Sequence, residues 1–189
     1  MRPGDAMITT TGLKERPRIF RAVAVLALTG SALLAATTAD AARSCTVTVF
    51  PLAFGVYTPI TPTPVDSTAL IQVNCVGDPD PGDPGFYTIA IGGGSSGDPA
   101  SRYMPSGPSR LNYNLFQDAT FTTVWGDGNS GTNRIAQPFP VIGGMGMGMG
   151  MGMGTPPFNM DHTVYGRSFA GQDPAPGNYA DAPIVTIEF

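Results

Sequence analysis

The chain has 189 residues, of which 13% are charged, about half the usual share for a soluble domain. Gly and Pro together make up 44 residues, which excludes a coiled coil or long-helix protein and favours a turn-rich chain. The formal charge is −4 with a single lysine, Lys14, so there is no basic stripe for nucleic acid.

The chain opens with a basic stretch, Lys14, Arg16, Arg18 and Arg21. The apolar run Ala22–Ala36 follows, then the small-x-small pattern Ala39-Asp40-Ala41. That order predicts a secretory signal peptide over residues 1–41, cut after Ala41, with translation starting at Met1 or Met7. The apolar run is shorter than the ~20 residues of a membrane span. Once the leader is removed, no segment is long and apolar enough to cross a bilayer. The expected mature domain is Ala42–Phe189, with five Arg against eleven acidic residues and no Lys. A chain of that size can bury roughly two-thirds of its unfolded surface. Its two cysteines, Cys45 and Cys75, are expected to form one disulfide in an exported protein. The loop closed in this way contributes about 3–4 kcal/mol in the chain-entropy view.

Short strand signals recur along the mature chain, separated by turn residues. Cys45–Val49 is β-branched, and Phe54–Tyr57 resumes after Pro51. Thr68–Cys75 sets Ile71, Val73 and Cys75 on one face by alternation. Phe86–Gly92 alternates Tyr87, Ile89 and Ile91, and Leu111–Gln117 alternates Leu111, Tyr113 and Leu115. Phe121–Trp125 reads as a further short strand, and His162–Phe169 as a strand with a glycine inside it. Pro183–Phe189 closes the chain with Val185, Ile187 and Phe189 on one face. Helical periodicity is lacking. About seven short strands predict an all-β, immunoglobulin-like β-sandwich, although spacing alone leaves a jelly roll or a small barrel open. The run 143–154, Gly-Met repeats, reads as a low-complexity loop inserted between strands; Cu(I) capture by its thioethers is the sharper alternative.

Catalytic signals are weak. His162 is the only histidine, and Asp161 beside it would point to the opposite face of a strand. A Gly-x-Ser-x-Gly elbow is absent. His162 therefore reads as a surface or strand-edge residue. Asp78, Asp80 and Asp83 imitate the start of a calcium loop, but prolines separate them and Ile89 stands where a bidentate Glu is needed. Gly92-Gly93-Gly94 lacks the lysine of a phosphate loop and reads as a turn. Trp125 beside Gly126-Asp127-Gly128 reads mainly as a packed strand-end residue, with a sugar-stacking platform as the alternative. No enzyme, cofactor or metal is expected.

Several landmarks in order resemble the Spore Coat Protein U domain family, shared with subunits of archaic chaperone–usher pili. They include Leu52–Tyr57, Ile71–Cys75, Tyr87–Ile91, Arg102-Tyr103-Met104 and Leu111–Phe116. Trp125–Gly128, Val164-Tyr165-Gly166, and Pro176–Asp181 running into Ile184–Phe189 complete the set. The resemblance implies a sandwich lacking its final strand, with a hydrophobic groove beside the C-terminal strand at Val185, Ile187 and Phe189. It implies a subunit of a secreted surface fibre, exported through the periplasm, with adhesion and biofilm among its roles. A periplasmic chaperone, an outer-membrane usher and neighbouring subunits are the expected partners. Cleavage after Ala41 leaves only Ala42-Arg43-Ser44 before Cys45, at most about 10 Å of chain, too short to lace a neighbour's groove. The expectation is thus an acceptor at a fibre end or tip. The alternative is a self-contained coat protein or an adhesin-like binding module, with Tyr103 and Trp125 as candidate recognition side chains.

Overall fold

The computed structural model describes residues 4–6, 9–10, 44–59, 61–76, 85–139 and 158–189. The strands are β1 (Gly4–Ala6), β2 (Thr9–Thr10), β3 (Ser44–Val49), β4 (Leu52–Gly55), β5 (Val65–Val76) and β6 (Phe86–Ile91). They continue with β7 (Tyr103–Ser106), β8 (Ser109–Phe116), β9 (Ile135–Pro138), β10 (Phe158–Ser168), β11 (Ala180–Asp181) and β12 (Ile184–Glu188). Three sheets result, ordered β3-β5-β10-β8-β7, β2-β12-β6-β9 and β11-β1-β4. The two larger sheets face each other across the core as an immunoglobulin-like sandwich.

Period-two alternation explains the layering. In β5, Ile71, Val73 and Cys75 turn inward, and in β6 Tyr87, Ile89 and Ile91 do the same. Val164 of β10 and Val185 and Ile187 of β12 complete the contact between the sheets. Each fully buried aliphatic side chain contributes about 1.5–3 kcal/mol by leaving water. The antiparallel pair β5–β10 is the spine, matched from Phe158↔Cys75 to Ser168↔Val65. The edge strand β3 lies on the far side of β5 with Cys45 opposite Cys75, and the two cysteines are bonded.

Two sequence expectations change. Phe121–Trp125 is not a strand; only the isolated bridges Phe116↔Val124 and Trp125↔Asn133 form there. The Asp118 carboxylate competes for the segment, accepting bonds from the Thr120 and Thr122 hydroxyls and from the backbone N–H of Thr120, Thr122 and Thr123. These bonds hold its pKa below the usual carboxylate range, the Thr120 hydroxyl contributing most. His162 is buried, not a surface or strand-edge residue. It stands inward on β10 because β10 begins at Phe158, four residues before the predicted start, and its Nε2 lies 2.7 Å from the Tyr87 hydroxyl. The Asp78–Asp83 loop and the Gly-Met run lie outside the described residues.

Gly166, the glycine inside the predicted His162–Phe169 strand, is a point of close approach. A Cβ there would sit 2.6 Å from Leu52 Cδ1 and 3.0 Å from Phe54 Cζ. Both partners are buried, so neither has free space to swing into. Gly166→Val should cost about 2 kcal/mol by overpacking and loosen β4 from β10. Urea unfolding of the wild type and the variant checks this, and an unchanged midpoint would contradict the packing.

His162 supplies a pH prediction. Burial lowers its pKa below the ordinary value, partly opposed by the nearby Asp161 charge. The folded state then binds fewer protons than the unfolded state between the two pKa values. Stability is therefore full above the unfolded value of about 6.5 and falls as pH drops through the folded one. Trp125 is the only tryptophan, with its ring centroid 6.4 Å from that of His162, so its fluorescence reports the change. The unfolding midpoint should decrease from pH 7 to pH 5, with a smaller slope in His162→Gln.

Candidate functional site

β12 defines one side of the site. One of its edges pairs antiparallel with β6, Val185 opposite Ile91 and Ile187 opposite Ile89. Its other edge pairs parallel with β2, Ile184 opposite Thr9 and Val185 opposite Thr10. β4 defines the second side, and its ladder partner is β1, with Asp5 opposite Ala53 and Ala6 opposite Leu52. β1 also pairs parallel with β11, Asp5 opposite Ala180 and Ala6 opposite Asp181. A seam thus runs between β4 on one side and β11 with β12 on the other. The backbone of residues 4–6 and 9–10 closes it.

The flanks are apolar because both strands alternate. Leu52 and Phe54 of β4 are buried beside Gly166, with Ala53 turned outward. Val185 and Ile187 of β12 are buried in the core, while Ile184 is 49% exposed. Phe189 is 47% exposed; its ring stacks on Phe139 with centroids 6.3 Å apart and lies tilted to Tyr87 at 6.4 Å. Of the three side chains expected along this edge, two are core residues and the third stands beyond the strand end.

A buried polar network fixes β11 and β6 behind the seam. Asp181 is buried and accepts four bonds. The Ser95 backbone N–H gives one at 2.8 Å, the Ser95 hydroxyl one at 2.7 Å, the Tyr113 hydroxyl one at 2.7 Å and its neighbour Ala182 N–H one at 2.9 Å. Burial raises the Tyr113 pKa far above the ordinary phenol value, and the Asp181 charge adds to it, so this hydroxyl keeps its proton and donates. Gly94 has φ +58 and lies against the carboxylate; a Cβ there would fall 2.2 Å from Asp181 Oδ2. Only glycine fits that turn. Arg102 is buried too, donating to the carbonyls of Gly92, Ile91 and Trp125 and, at 2.6 Å, to Asn114 Oδ1. Burial lowers its pKa to about 10, so the guanidinium stays charged at neutral pH. Every contact of this cation serves the chain itself, which makes it a brace rather than a ligand group.

Trp125 is fully buried and its indole N–H donates to the Ile89 carbonyl at 3.0 Å. The sugar-platform reading of Trp125 is therefore corrected: the ring is buried in the core, where its N–H finds a partner. Tyr103 is half-buried, its ring under the Arg110 guanidinium at 4.3 Å and its hydroxyl donating to the Ser95 carbonyl. The structure does not bring Tyr103 and Trp125 together as one surface. Among the described residues, no group of three or more His, Cys, Asp or Glu is placed to hold a metal ion. No helix among them is long and apolar enough to cross a membrane. Sequence reasoning missed β4 as a flank. Its signal is the alternation Leu52-Ala53-Phe54 together with a glycine, Gly166, where two strands cross. It also missed β11, whose two residues carry no periodicity.

A two-sheet sandwich with a seam at the edge of its last strand, stapled by one disulfide, defines the class. The Spore Coat Protein U domain model matches residues 31–186, and the chain belongs to that family. The match begins upstream of the expected cleavage point after Ala41. No curated protein matches the chain. Among solved structures, the chain is similar to one titled as the CsuC-CsuE chaperone-tip adhesion subunit pre-assembly complex from archaic chaperone-usher Csu pili of Acinetobacter baumannii. The identity is 19% and the TM-score 0.44, over 78% of this chain. The chain spans 40% of the length of that structure's chain.

Asp181→Ala should cost about 3 kcal/mol, because the Tyr113 hydroxyl and the Ser95 groups would lose their buried acceptor. Urea unfolding at neutral pH measures it, and a loss under about 0.5 kcal/mol would place the network outside the fold's support.

Proposed function

We propose that the chain is a structural subunit of a secreted surface fibre, built by addition of a strand from a partner. The observation that carries this reading is the seam. Among the described residues, the outer edge of β12 and the ladder edge of β4 are met only by residues 4–6 and 9–10. Those residues fall in the proposed leader, Met1–Ala41, so the mature domain Ala42–Phe189 presents both edges. Unpaired strand edges beside apolar side chains attract another strand, and natural proteins cover them. Strand addition supplies main-chain hydrogen bonds for affinity and alternate side chains for register. Membership of the Spore Coat Protein U family supports the same role. A periplasmic chaperone would cover the seam first, and a neighbouring subunit at the outer-membrane usher would replace it. The domain would accept a strand without giving one, at a fibre end or tip, with the Gly-Met run 143–154 as a loop insert. The adhesin reading loses its main side chain with the burial of Trp125.

The test is a urea melt of oxidised Ala42–Phe189 after periplasmic expression, alone and with a candidate chaperone, with oligomeric state measured alongside. The expected result is an aggregated or barely stable domain alone and a soluble heterodimer with the chaperone. A stable monomer with one cooperative transition would overturn the reading in favour of a self-contained coat protein.

A further inference from the structure

β3 is the outermost strand of the five-stranded sheet, with β5 on one side and no ladder partner on the other among the described residues. In an antiparallel strand, alternate residues turn their backbone groups to opposite edges. Phe50 donates its N–H to the Leu70 carbonyl at 2.9 Å, which makes Thr48–Gln72 and Thr46–Asn74 the hydrogen-bonded pairs. Cys45–Cys75, Val47–Val73 and Val49–Ile71 are then the close, non-bonded pairs, in keeping with the 4.0 Å between the Cα atoms of the two cysteines. The N–H and C=O groups of Cys45, Val47 and Val49 therefore point away from β5, off the edge of the sheet.

Sheet edges are commonly guarded by shortness, proline, charge or a bulge. The edge strands β7 and β9 follow that rule: each is four residues long and each contains a proline, Pro105 or Pro138. β3 does not follow it. Its six residues, Ser44-Cys45-Thr46-Val47-Thr48-Val49, include no charge and no proline, and its register with β5 runs without a shift. The inward side chains Cys45, Val47 and Val49 pack against the margin of the core and stay half-buried. Thr46 and Thr48 stand exposed on the outer face.

We infer that the free edge of β3 is a self-association surface, taken by β3 of a second copy of this chain, antiparallel about a two-fold axis at Val47. That axis sets Val47 opposite Val47 of the second copy, and Cys45 of each copy opposite Val49 of the other. All three are bonded pairs, and each exchanges two N–H···O bonds. On the inner face, the half-buried row Cys45, Val47, Val49 continues into the same row of the second copy. On the outer face, Thr46 meets Thr48 of the second copy, a pairing that favours antiparallel sheets. With no charged side chain on the strand, no charge meets its like. This match of the strand to itself selects a second copy as the occupant, through the same patch on both. The contact uses neither β4 nor β12, so it stands apart from the seam and does not depend on the fibre-subunit reading.

One strand pair is a small interface that binds weakly, so sedimentation velocity is run over a concentration series reaching about 1 mM. The sample is oxidised protein recovered from the periplasm, free or bound to a chaperone. The expected result is a doubling of mass as concentration rises. The double variant Thr46→Lys, Thr48→Lys sets lysine opposite lysine across the axis and should raise the dissociation constant about tenfold, with an unchanged urea midpoint. Cross-linking reads the register. Chains with Thr46→Cys mixed with chains with Thr48→Cys should form about fivefold more intermolecular disulfide than either variant alone, because the axis pairs position 46 with position 48. Mass spectrometry maps the new bond and checks that Cys45–Cys75 is intact. Protein that stays a single copy through the series would overturn the inference even if the lysine variant fails to fold. Doubling that the lysines leave unchanged, or cross-links as abundant within one variant as in the mixture, would overturn it as well. The fibre reading is decided separately, by whether Ala42–Phe189 is stable without a chaperone.

Discussion

The backbone at a strand edge must find partners, and that requirement organises this molecule. Inside the sandwich it is met by ladders, most completely along β5 and β10. At β4 and at the outer edge of β12, the ladder partner among the described residues comes from the far N-terminus. The apolar packing beneath makes the edges consequential. Leu52, Phe54, Val185 and Ile187 are buried next to the place where the ladder must be completed. An edge cannot be left wet there without exposing part of the core.

The polar interior explains why the edges stay in position. Asp181 and Arg102 are charged groups withdrawn from water, and each makes four hydrogen bonds within the chain. Buried charges of this kind are costly unless fully paired. Their partners come from the 3-10 turn Gly94–Ser96, from β8, from the end of β6 and from the Trp125 carbonyl, so the network joins both sheets to the loops between them. Gly94 and Gly166 play matching parts in this arrangement, each giving up a side chain so that a buried group can come close.

Much of this was legible in the sequence. Alternation located β5, β6, β8 and β12, because one face of each is apolar, and β-branched residues marked β3. The disulfide followed from two cysteines and an export address. Other features were hidden for physical reasons. β7, β9 and β11 are two to four residues long, too short for a period to register. His162 looked exposed because histidine is polar and Asp161 follows the outward face; its burial depends on Tyr87, a partner from another sheet. Phe121–Trp125 had strand-like composition, yet one carboxylate, Asp118, won its backbone donors. The seam flank at β4 required knowing which strands cross, which only the three-dimensional arrangement reveals.

The cysteine staple has a mechanical side. β3 is an edge strand held by one neighbour, and Cys45 is its second residue. A pull on the chain ahead of Ser44 reaches that residue almost at once. From there the Cys45–Cys75 bond hands the force to β5, which is bonded on both edges inside its sheet. Tension is thereby shared by a whole ladder and does not peel β3 away one hydrogen bond at a time. The first strand is the weakest point of a sandwich loaded from its N-terminal side, and here a covalent bond carries that load past it.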